Sequence, residues 1–211
     1  RLVGSEMCIR DSNNTYEPVA DPRVRHAFLH ALDRRALIDA FWQGNGTPIN
    51  TPFQNPAWCD CAEWDARYDY NPEKAKQMLK DAGYPNGFTI QHQTRSIPEW
   101  QDRAALLKDM WSKVGVTVEI NVVDDTTFYS YDKSWYKKKN LNTRQHGLEL
   151  ADPVSVIRMA TGHHFNFPEW SNKSFDKLSE DIVGEIDFSK RNKLIKEASQ
   201  IMRDETIYIP L

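Results

Sequence analysis

The chain has 211 residues, with 27 Lys and Arg against 30 Asp and Glu, so its formal net charge is −3. Hydrophobic residues make up 40% and charged residues 27%, a balance that is typical of a globular chain and too apolar for disorder throughout. The composition excludes a strongly basic polyanion-binding protein, and no apolar run approaches the roughly 18 residues of a transmembrane helix.

The first segment, "RLVGSEMCIRDS" at residues 1–12, shows neither helical period nor strand alternation. It looks like a translated adapter string of the kind that occurs at the ends of reading frames from environmental assemblies. We therefore expect residues 1–12 to be a non-native leader that contributes nothing to the fold. The alternative is a natural terminus without regular structure.

Residues 21–48 predict two consecutive helices. Asp21 and Pro22 are typical of a helix start, and an apolar stripe at positions 24, 27, 28, 31 and 32 follows them. The stripe stops before Asp33, which is a good N-cap for a second helix that Gly44 ends.

The same segment carries basic and titratable side chains, which raises the question of a nucleic-acid or membrane-surface site. They are Arg23, Arg25, His26, His30, Arg34 and Arg35. The arginines fall on the polar faces and at the helix junction, and the chain as a whole is acidic. We therefore predict solvated helix surfaces here and no nucleic-acid binding.

The middle of the chain predicts a strand–helix–strand unit. After an aperiodic loop over 44–64, "NPEKAKQMLKDAGYPNGF" predicts a helix that begins near Pro72 and ends at Gly83. Strand alternation then covers 88–93, a helical pattern covers 98–114, and a β-branched run covers 116–123. This order favours a parallel strand pair joined by a helix.

The rest of the chain continues the alternation of helices and strands. The pattern predicts a helix over 126–138, a strand over 140–146, a short helix ending at 160, helices over 174–186 and 189–204 with Ser189 as N-cap, and a final strand in "IYIPL". Helices alternating with strands predict an α/β fold.

Two pairs of side chains raise the question of a metal site. His163 and His164 are adjacent, so their rings point apart, and no third ligand at helical spacing accompanies them. Cys59 and Cys61 lack a second pair at zinc-site spacing, and they remain open between a bridge and free thiols. We predict no metal and no cofactor.

A third group is "TRQHGLELADP" at 143–153, where a predicted strand ends in a loop with Arg, His and two carboxylates. Ligands in open α/β sheets gather outside the carboxyl ends of strands. Glu149 and Asp152 could form a paired-carboxylate enzyme site, but no opposing group accompanies them. The remaining alternative is a surface loop with ordinary solvated charges.

Five stretches resemble, in this order, the peptide/nickel class, or family 5, of ABC-transporter solute-binding proteins. They are "DPRVRHAFLHALDRRALIDAFWQGNGTP", "YNPEKAKQMLKDAGYPNGF", "LLKDMWSKVGVTVEINVVDDTTF", "LADP" and "RNKLIKEASQIMRDETIYIPL". The resemblance implies a type II periplasmic-binding fold, in which two α/β lobes close on a ligand. It also implies that 13–205 form most of the second lobe, a mixed sheet flanked by helices, and that 206–211 begin the strand that returns to the first lobe.

The resemblance further implies a ligand site at 140–153. In the family this element usually carries a Trp that stacks on ligand, then a carboxylate that takes a peptide amino terminus, then an Asp-Pro pair. Here the matching positions are His146, Glu149 and Asp152-Pro153, and the first two depart from the usual pattern. These departures admit opine-like or sugar-like cargo beside peptides. The candidate ligand-binding residues are Arg144, Gln145, His146, Gly147, Glu149 and Asp152.

The function implied is the solute-binding component of an ABC importer, periplasmic or held outside the cytoplasm by a lipid anchor. Such a protein binds a small molecule and delivers it to a membrane permease, without catalysis. A ligand-sensing module on the same fold is the alternative, and a carboxylate-based enzyme is a third.

Overall fold

The computed structural model describes residues 8–12, 17–48, 53, 57–59, 63, 66–129, 140–145, 153–161 and 170–210. For 8–12, 129, 140–145 and 159 it describes the backbone alone. The helices are α1 Pro22–His30, α2 Arg34–Trp42, α3 Pro72–Asp81, α4 Pro98–Ser112, α5 Asp125–Tyr129, α6 Val154–Met159, α7 Lys173–Gly184 and α8 Phe188–Asp204. The strands are β1 Cys8–Ser12, β2 Phe88–Arg95, β3 Val116–Val123, β4 Asn140–Gln145 and β5 Tyr208–Pro210.

The first two helices begin and end as the sequence predicts. Asp21 accepts a hydrogen bond from the Arg23 N–H at 2.8 Å, and Asp33 accepts one from the Ala36 N–H at 2.9 Å. Each carboxylate thus satisfies an amide that the first helical turn leaves without a partner. The second helix ends at Trp42, and the two residues that follow, Gln43 and Gly44, are both in the left-handed region, with φ of 53° and 79°. Within the described residues, no helix combines the length and the hydrophobicity that crossing a bilayer requires.

The described strands form one mixed sheet in the order β3-β2-β4-β1-β5. β2 is parallel to β3 along its whole length, from Phe88 opposite Val116 to Arg95 opposite Val123, and it is parallel to β4 over a shorter stretch. β1 is antiparallel to both β4 and β5. The α/β fold, the parallel pair and the final strand are therefore confirmed.

Residues 8–12 are part of this sheet, so the prediction that 1–12 contribute nothing to the fold is wrong for this part. β1 lies between β4 and β5, with Cys8 opposite Gln145 and Ile9 opposite Pro210. Ladder bonds join backbone N–H and C=O groups, so a strand between two neighbours does not need an alternating side-chain pattern. Residues 1–7 lie outside the described residues, and the adapter origin of the leader stays a prediction.

The two closing helices differ from the prediction at the turn between them. α7 ends at Gly184, slightly earlier than expected, and α8 begins at Phe188. The Asp187 carboxylate accepts a hydrogen bond from the Lys190 N–H at 2.9 Å, so Asp187 is the N-cap and the prediction of Ser189 is wrong. Asp and Ser are comparable caps, and the extended backbone at Asp187 decides between them.

Two buried hydrophobic clusters hold the helices against the sheet. One contains the stacked rings of Phe28 in α1 and Trp111 in α4, whose centroids are 4.5 Å apart. The other is built mainly from α6, α7 and α8 and includes the fully buried Phe175. β5 contributes Ile209 to the first cluster and Tyr208 to the second, as expected for successive strand residues that face opposite sides.

Two arginines of α1 and α2 are buried, which corrects the prediction that they lie on polar faces. Arg25 is 1% exposed and Arg34 is 5% exposed, whereas Arg23 and Arg35 are exposed as predicted. Helical periodicity could not place them, because a guanidinium can enter a core wherever backbone carbonyls accept its hydrogen bonds.

The Arg25 guanidinium binds carbonyl groups of two separate segments. Its Nη1 donates to the carbonyls of Val19 and Ala20 at 2.8 and 2.7 Å, and its Nε donates to those of Glu205 and Thr206 at 3.0 and 3.1 Å. The second pair lies just after α8, where a helix leaves carbonyls without partners and favours positive charge. Burial lowers the pKa of Arg25 to about 10, so the side chain stays protonated at neutral pH.

Arg34 makes a related contact with β5. Its Nη2 donates to the Pro210 carbonyl at 3.0 Å and its Nη1 to the Leu29 carbonyl at 3.3 Å. Because Pro210 ends β5, Arg25 and Arg34 together fix both ends of the segment 205–210 against the first two helices.

We expect Arg25→Met to lower the free energy of unfolding by about 3 kcal/mol, because it leaves several buried carbonyls without a donor. Arg25→Lys should recover only part of this loss, since an ammonium lacks the fork that reaches both carbonyl pairs. Arg35→Met, at an exposed arginine, is the matched control and should change stability by no more than about 0.5 kcal/mol. Urea unfolding measures all three variants, and equal midpoints for Arg25→Met and Arg35→Met would contradict this account.

A chain that begins at Asn13 should be less stable than one that begins at Met7, because only the longer one keeps β1. Without β1, the facing edges of β4 and β5 lose their backbone partners. We expect the melting temperature to fall by about 10 °C, at roughly 3 °C for each kcal/mol lost. Equal melting temperatures in a calorimetric scan would restore the expectation that the leader contributes nothing.

α1 also carries two histidines that pack against Tyr68. His26 and His30 are one turn apart, and each ring centroid lies 5.6 Å from that of Tyr68. His30 is 2% exposed, and its Nδ1 lies 2.9 Å from the Asp69 carbonyl oxygen. Burial lowers the pKa of both histidines, and hydrogen bonds to backbone carbonyls oppose this effect.

The free energy of unfolding should therefore fall as the pH is lowered from about 7.5 to about 5.5. Unfolded histidines have a pKa of about 6.5 and take up protons first, so the unfolded state binds more protons in this range. The contribution of the neutral histidines to stability is complete above the unfolded-state pKa of about 6.5. It is lost as the pH falls toward their lower pKa in the folded state. In urea unfolding, the double variant His26→Gln, His30→Gln should lose less stability over this range. An equal loss in both proteins would assign the pH dependence to other groups.

Candidate functional site

The predicted ligand-binding residues fall at and after the end of β4. Arg144 and Gln145 are the last two residues of this strand, so their backbone lies at the carboxyl edge of the sheet. The other predicted residues lie outside the described part of the chain: His146, Gly147, Glu149 and Asp152. Their grouping into one site therefore stays a prediction.

The carboxyl ends of β2, β3 and β4 meet at one edge, because these strands are parallel. β2 and β4 are paired as far as Gln93 opposite Asn142, while β4 stays paired with β1 as far as Gln145. The ladder between β2 and β4 thus ends before the strands do, and ligands in open α/β sheets bind at such an edge. Two positions beyond the last pair, the strands carry Arg95 and Arg144.

Arg95, the last residue of β2, forms a bidentate ion pair at this edge. Its Nε donates to Asp125 Oδ1 at 2.8 Å, and its Nη2 donates to Asp125 Oδ2 at 2.6 Å. Asp125 is the first residue of α5, so the pair ties the end of β2 to the segment that follows β3. The hydrogen bond from Arg95 lowers the pKa of Asp125, which keeps this carboxylate ionised at neutral pH.

The Trp100 ring supports the Arg95 guanidinium, and the Phe128 ring packs against Trp100. The central carbon of the guanidinium lies 5.1 Å from the centroid of the Trp100 ring, within cation–π range. Trp100 is 5% exposed and packs edge to face with Phe128 of α5, at a centroid distance of 5.9 Å. The Thr94 hydroxyl donates to the Trp100 carbonyl at 3.2 Å, which fixes the start of α4 beside the end of β2. The position of Arg95 is therefore set by packing as well as by its ion pair.

Asp124 rather than Asp125 caps the N-terminus of α5. Its Oδ1 accepts a hydrogen bond from the Thr127 N–H at 3.0 Å, and its Oδ2 accepts one from the Thr127 hydroxyl at 2.9 Å. These hydrogen bonds lower the pKa of Asp124. Two adjacent carboxylates at this edge therefore have different partners. Asp124 caps the helix, and Asp125 pairs with Arg95.

The sequence pattern did not single out Arg95 or Asp125. Alternation predicted a strand that ends at Gln93, but β2 continues to Arg95, and its residues His92 and Thr94 are buried together with Gln93. A run of buried polar residues in a central strand is uncommon. That run, "QHQTR", was the available signal that the end of β2 faces a polar site.

The structure describes one of the two residue pairs that the sequence raised as possible metal sites only in part, and the other not at all. Cys59 is disulfide-bonded and 1% exposed, which decides between a bridge and a free thiol at this residue. His163 and His164 lie outside the described residues. Among the residues that the structure does describe, no group of three or more His, Cys, Asp or Glu side chains is placed to hold a metal ion.

A polar groove lies at the opposite, amino edge of β2 and β3. It runs between α3 and the turns that precede both strands, and its lining includes Lys76 and Lys113. Lys76 pairs with Glu73 at 2.7 Å, and Lys113 pairs with Asp109 at 2.8 Å. The length of β2 separates this groove from Arg95, so the two surfaces are distinct.

Residues 7–163 match the family model described as "bacterial extracellular solute-binding proteins, family 5 Middle", which is more than half of the chain. The chain belongs to this family. In this family 5 solute-binding protein the matched range includes the ends of β2, β3 and β4, and therefore the edge with Arg95 and Asp125. The family resemblance drawn from the five sequence stretches is confirmed.

Two curated relatives cover nearly the whole chain. Heme-binding protein A of Haemophilus influenzae is 31% identical over 214 residues, which cover 94% of this chain and 38% of that protein. The dipeptide-binding protein of Escherichia coli K12 is 26% identical over 205 residues, which cover 90% of this chain and 37% of that protein. The family 5 chain described here therefore spans less than two fifths of the length of these two relatives.

A solved structure shows the same fold. The binding protein AgaA of A. tumefaciens R10, in complex with agropinic acid, superposes with a TM-score of 0.86 at 21% identity, over 98% of this chain and 43% of that one. At this identity the likeness concerns the fold alone. It confirms the predicted type II periplasmic-binding architecture for this part of a family 5 protein.

Proposed function

We propose that this protein is the solute-binding component of an ABC importer, which holds a small peptide-like or opine-like molecule between two lobes and delivers it to a membrane permease. It would bind its cargo without catalysing a reaction. The observation that carries the proposal is the shared carboxyl edge of β2, β3 and β4 in a family 5 chain, with the Arg95 fork on one strand and Arg144 on another. The named relatives support it, since one is called a dipeptide-binding protein and AgaA was solved with agropinic acid.

Cargo with a negative group and a positive group suits this edge. The Arg95 fork has the geometry that pairs with a carboxylate, and the predicted Glu149 would pair with an amino group. Small peptides and amino-acid conjugates carry both groups. A simple sugar carries neither, and none of the three proteins named above is called a sugar-binding protein, so sugar-like cargo is not proposed.

We place the protein outside the cytoplasm. Its family is described as extracellular, and Cys59 is disulfide-bonded. Structural disulfides persist in oxidising compartments and are rare where thiol reductants are abundant. The protein could be free in a periplasm or held by a lipid anchor. In either location it would bind its cargo before the cargo reaches the permease.

The proposal is tested in a protein completed to the full length of its relatives, by titration calorimetry with di- and tripeptides. Glu149→Gln should weaken binding about tenfold or more, because it removes a charge-assisted hydrogen bond of about 1.5–3 kcal/mol, and about 1.4 kcal/mol corresponds to tenfold. His146→Phe should keep binding at neutral pH. It should remove the weakening that acidification toward about pH 5 causes, since a protonated histidine repels a cationic ligand.

Glu180→Gln, on the exposed side of α7, is the matched control and should bind like the unaltered protein. Failure of the completed protein to bind any small peptide or opine would overturn the proposal. Unchanged affinity in both Glu149→Gln and His146→Phe would remove the segment after β4 from the site. Unchanged affinity in Glu149→Gln alone would indicate cargo without an amine.

A further inference from the structure

The outer edge of β3, called the β3 edge below, lacks the features that usually keep a strand from pairing with another chain. Within the part of the chain that the structure describes, the sheet ends at β3, and β2 is its one neighbour. The strand has eight residues, "VTVEINVV", of which six are β-branched, and it contains no proline, lysine or arginine. Natural edge strands are usually short, bulged or interrupted by such residues, because an open edge presents unpaired N–H and C=O groups.

The β3 edge is also regular over its whole length. β3 pairs residue for residue with β2, from Val116 to Val123, so no bulge bends the strand away from a new neighbour. The opposite edge of the described sheet differs, because β5 has only three residues and all of them are buried. Arg34 also donates a hydrogen bond to the carbonyl of its last residue, Pro210. Of these two edges, the β3 edge is therefore the one that suits strand addition.

The side chains of β3 suit a partner that continues the sheet. Glu119 is the single charged residue of the strand, and both Glu119 and Asn121 are exposed on one face. On the other face Val118 is buried, whereas Val122 is 45% exposed. A neighbouring strand would cover this exposed valine and remove its apolar surface from water.

We propose that the β3 edge is an interaction surface for a second copy of this chain, in which two β3 strands pair antiparallel about a twofold axis at Ile120. An axis perpendicular to the sheet keeps each face on its own side, so opposite residues belong to the same face. With the axis at Ile120, Glu119 lies opposite Asn121 of the second copy, and Val118 lies opposite Val122. An axis at Glu119 would instead place two carboxylates opposite each other, which is unfavourable.

This register makes the strand complementary to itself. It pairs residues 117–123 of both copies, gives the one charged residue an amide as its neighbour, and places each exposed valine beside another valine. The parallel strands of the two copies then run in opposite directions, so their carboxyl edges point away from each other. One pair of strands buries less surface than the roughly 1,200 Å² of a stable complex, so we expect a weak dimer with a dissociation constant of about 10–100 µM.

Sedimentation velocity of the 211-residue chain over a concentration range of about 5–300 µM measures this equilibrium. We expect Val122→Lys to weaken the association about tenfold or more, because a lysine on an edge strand opposes pairing with another chain. Val183→Lys is the matched control, since Val183 is 55% exposed and belongs to α7 rather than to the sheet. It should keep the dissociation constant of the unaltered chain.

Two substitutions of Asn121 test the register, because they make opposite charge changes at one exposed position. In the proposed dimer this position faces Glu119 of the other copy, once on each side of the axis. Asn121→Glu should therefore weaken the association about fivefold, and Asn121→Lys should strengthen it about threefold. Circular dichroism shows which variants keep the native helix content. Either Val122→Lys or Asn121→Glu is sufficient for the test if it keeps that content.

A chain that stays monomeric over the whole concentration range would overturn the proposal. So would a dimer that the folded variants leave unchanged, or one that Val183→Lys weakens as much as Val122→Lys. A change of the same sign with both Asn121 substitutions would exclude the axis at Ile120. A dimer of this chain that is absent from the completed protein would assign the β3 edge to another segment of that protein, and it would overturn the proposal. The measurement contains no cargo, so its result is independent of the peptide titrations.

Discussion

The fold depends on one buried guanidinium, because Arg25 joins segments that lie at opposite ends of the chain. Its donors reach the Val19 and Ala20 carbonyls and the Glu205 carbonyl, which is 180 residues away in sequence. That contact lies between the end of α8 and the start of β5. β5 then pairs with β1 and β1 pairs with β4, so the strand that presents Arg144 is aligned through this chain of contacts. A neutral side chain in place of Arg25 would leave several buried carbonyls unsatisfied, at a cost that the surrounding apolar contacts do not offset.

Other arginines show how the same side chain serves different purposes according to its partners. Arg103 of α4 is 2% exposed and lies 4.9 Å from the Trp42 ring centroid and 5.4 Å from that of Phe41, so it holds α2 against α4. Arg25 binds backbone carbonyls, and its guanidinium also lies 3.7 Å from the Glu205 carboxylate. Arg95 binds a half-exposed carboxylate at the carboxyl edge of the sheet. Of these partners, Asp125 lies at the carboxyl edge of the sheet, where the candidate site is predicted.

The candidate site combines one well-supported side chain with a segment known only from sequence. Thr94, Trp100 and Phe128 hold Arg95 in place, as the rigid side of a binding site requires. The backbone of β4 brings Arg144 and Gln145 to the same edge, and the ladder between β2 and β4 ends before the two strands do. A binding crevice of this kind follows from strand direction, since only parallel strands place their carboxyl ends together.

The sequence by itself determined the features that depend on neighbouring residues. Asp21 and Asp33 cap helices through amides a few positions away, and the order of strand, helix and strand over 88–123 is sufficient for a parallel pair. The family also followed from sequence, through motifs in a fixed order. The roles of Arg25, of β1 and of the Arg95–Asp125 pair were decided only by the tertiary structure. In each case the partner is distant in sequence, and the burial or pairing of a group depends on which distant backbone or carboxylate the fold brings beside it.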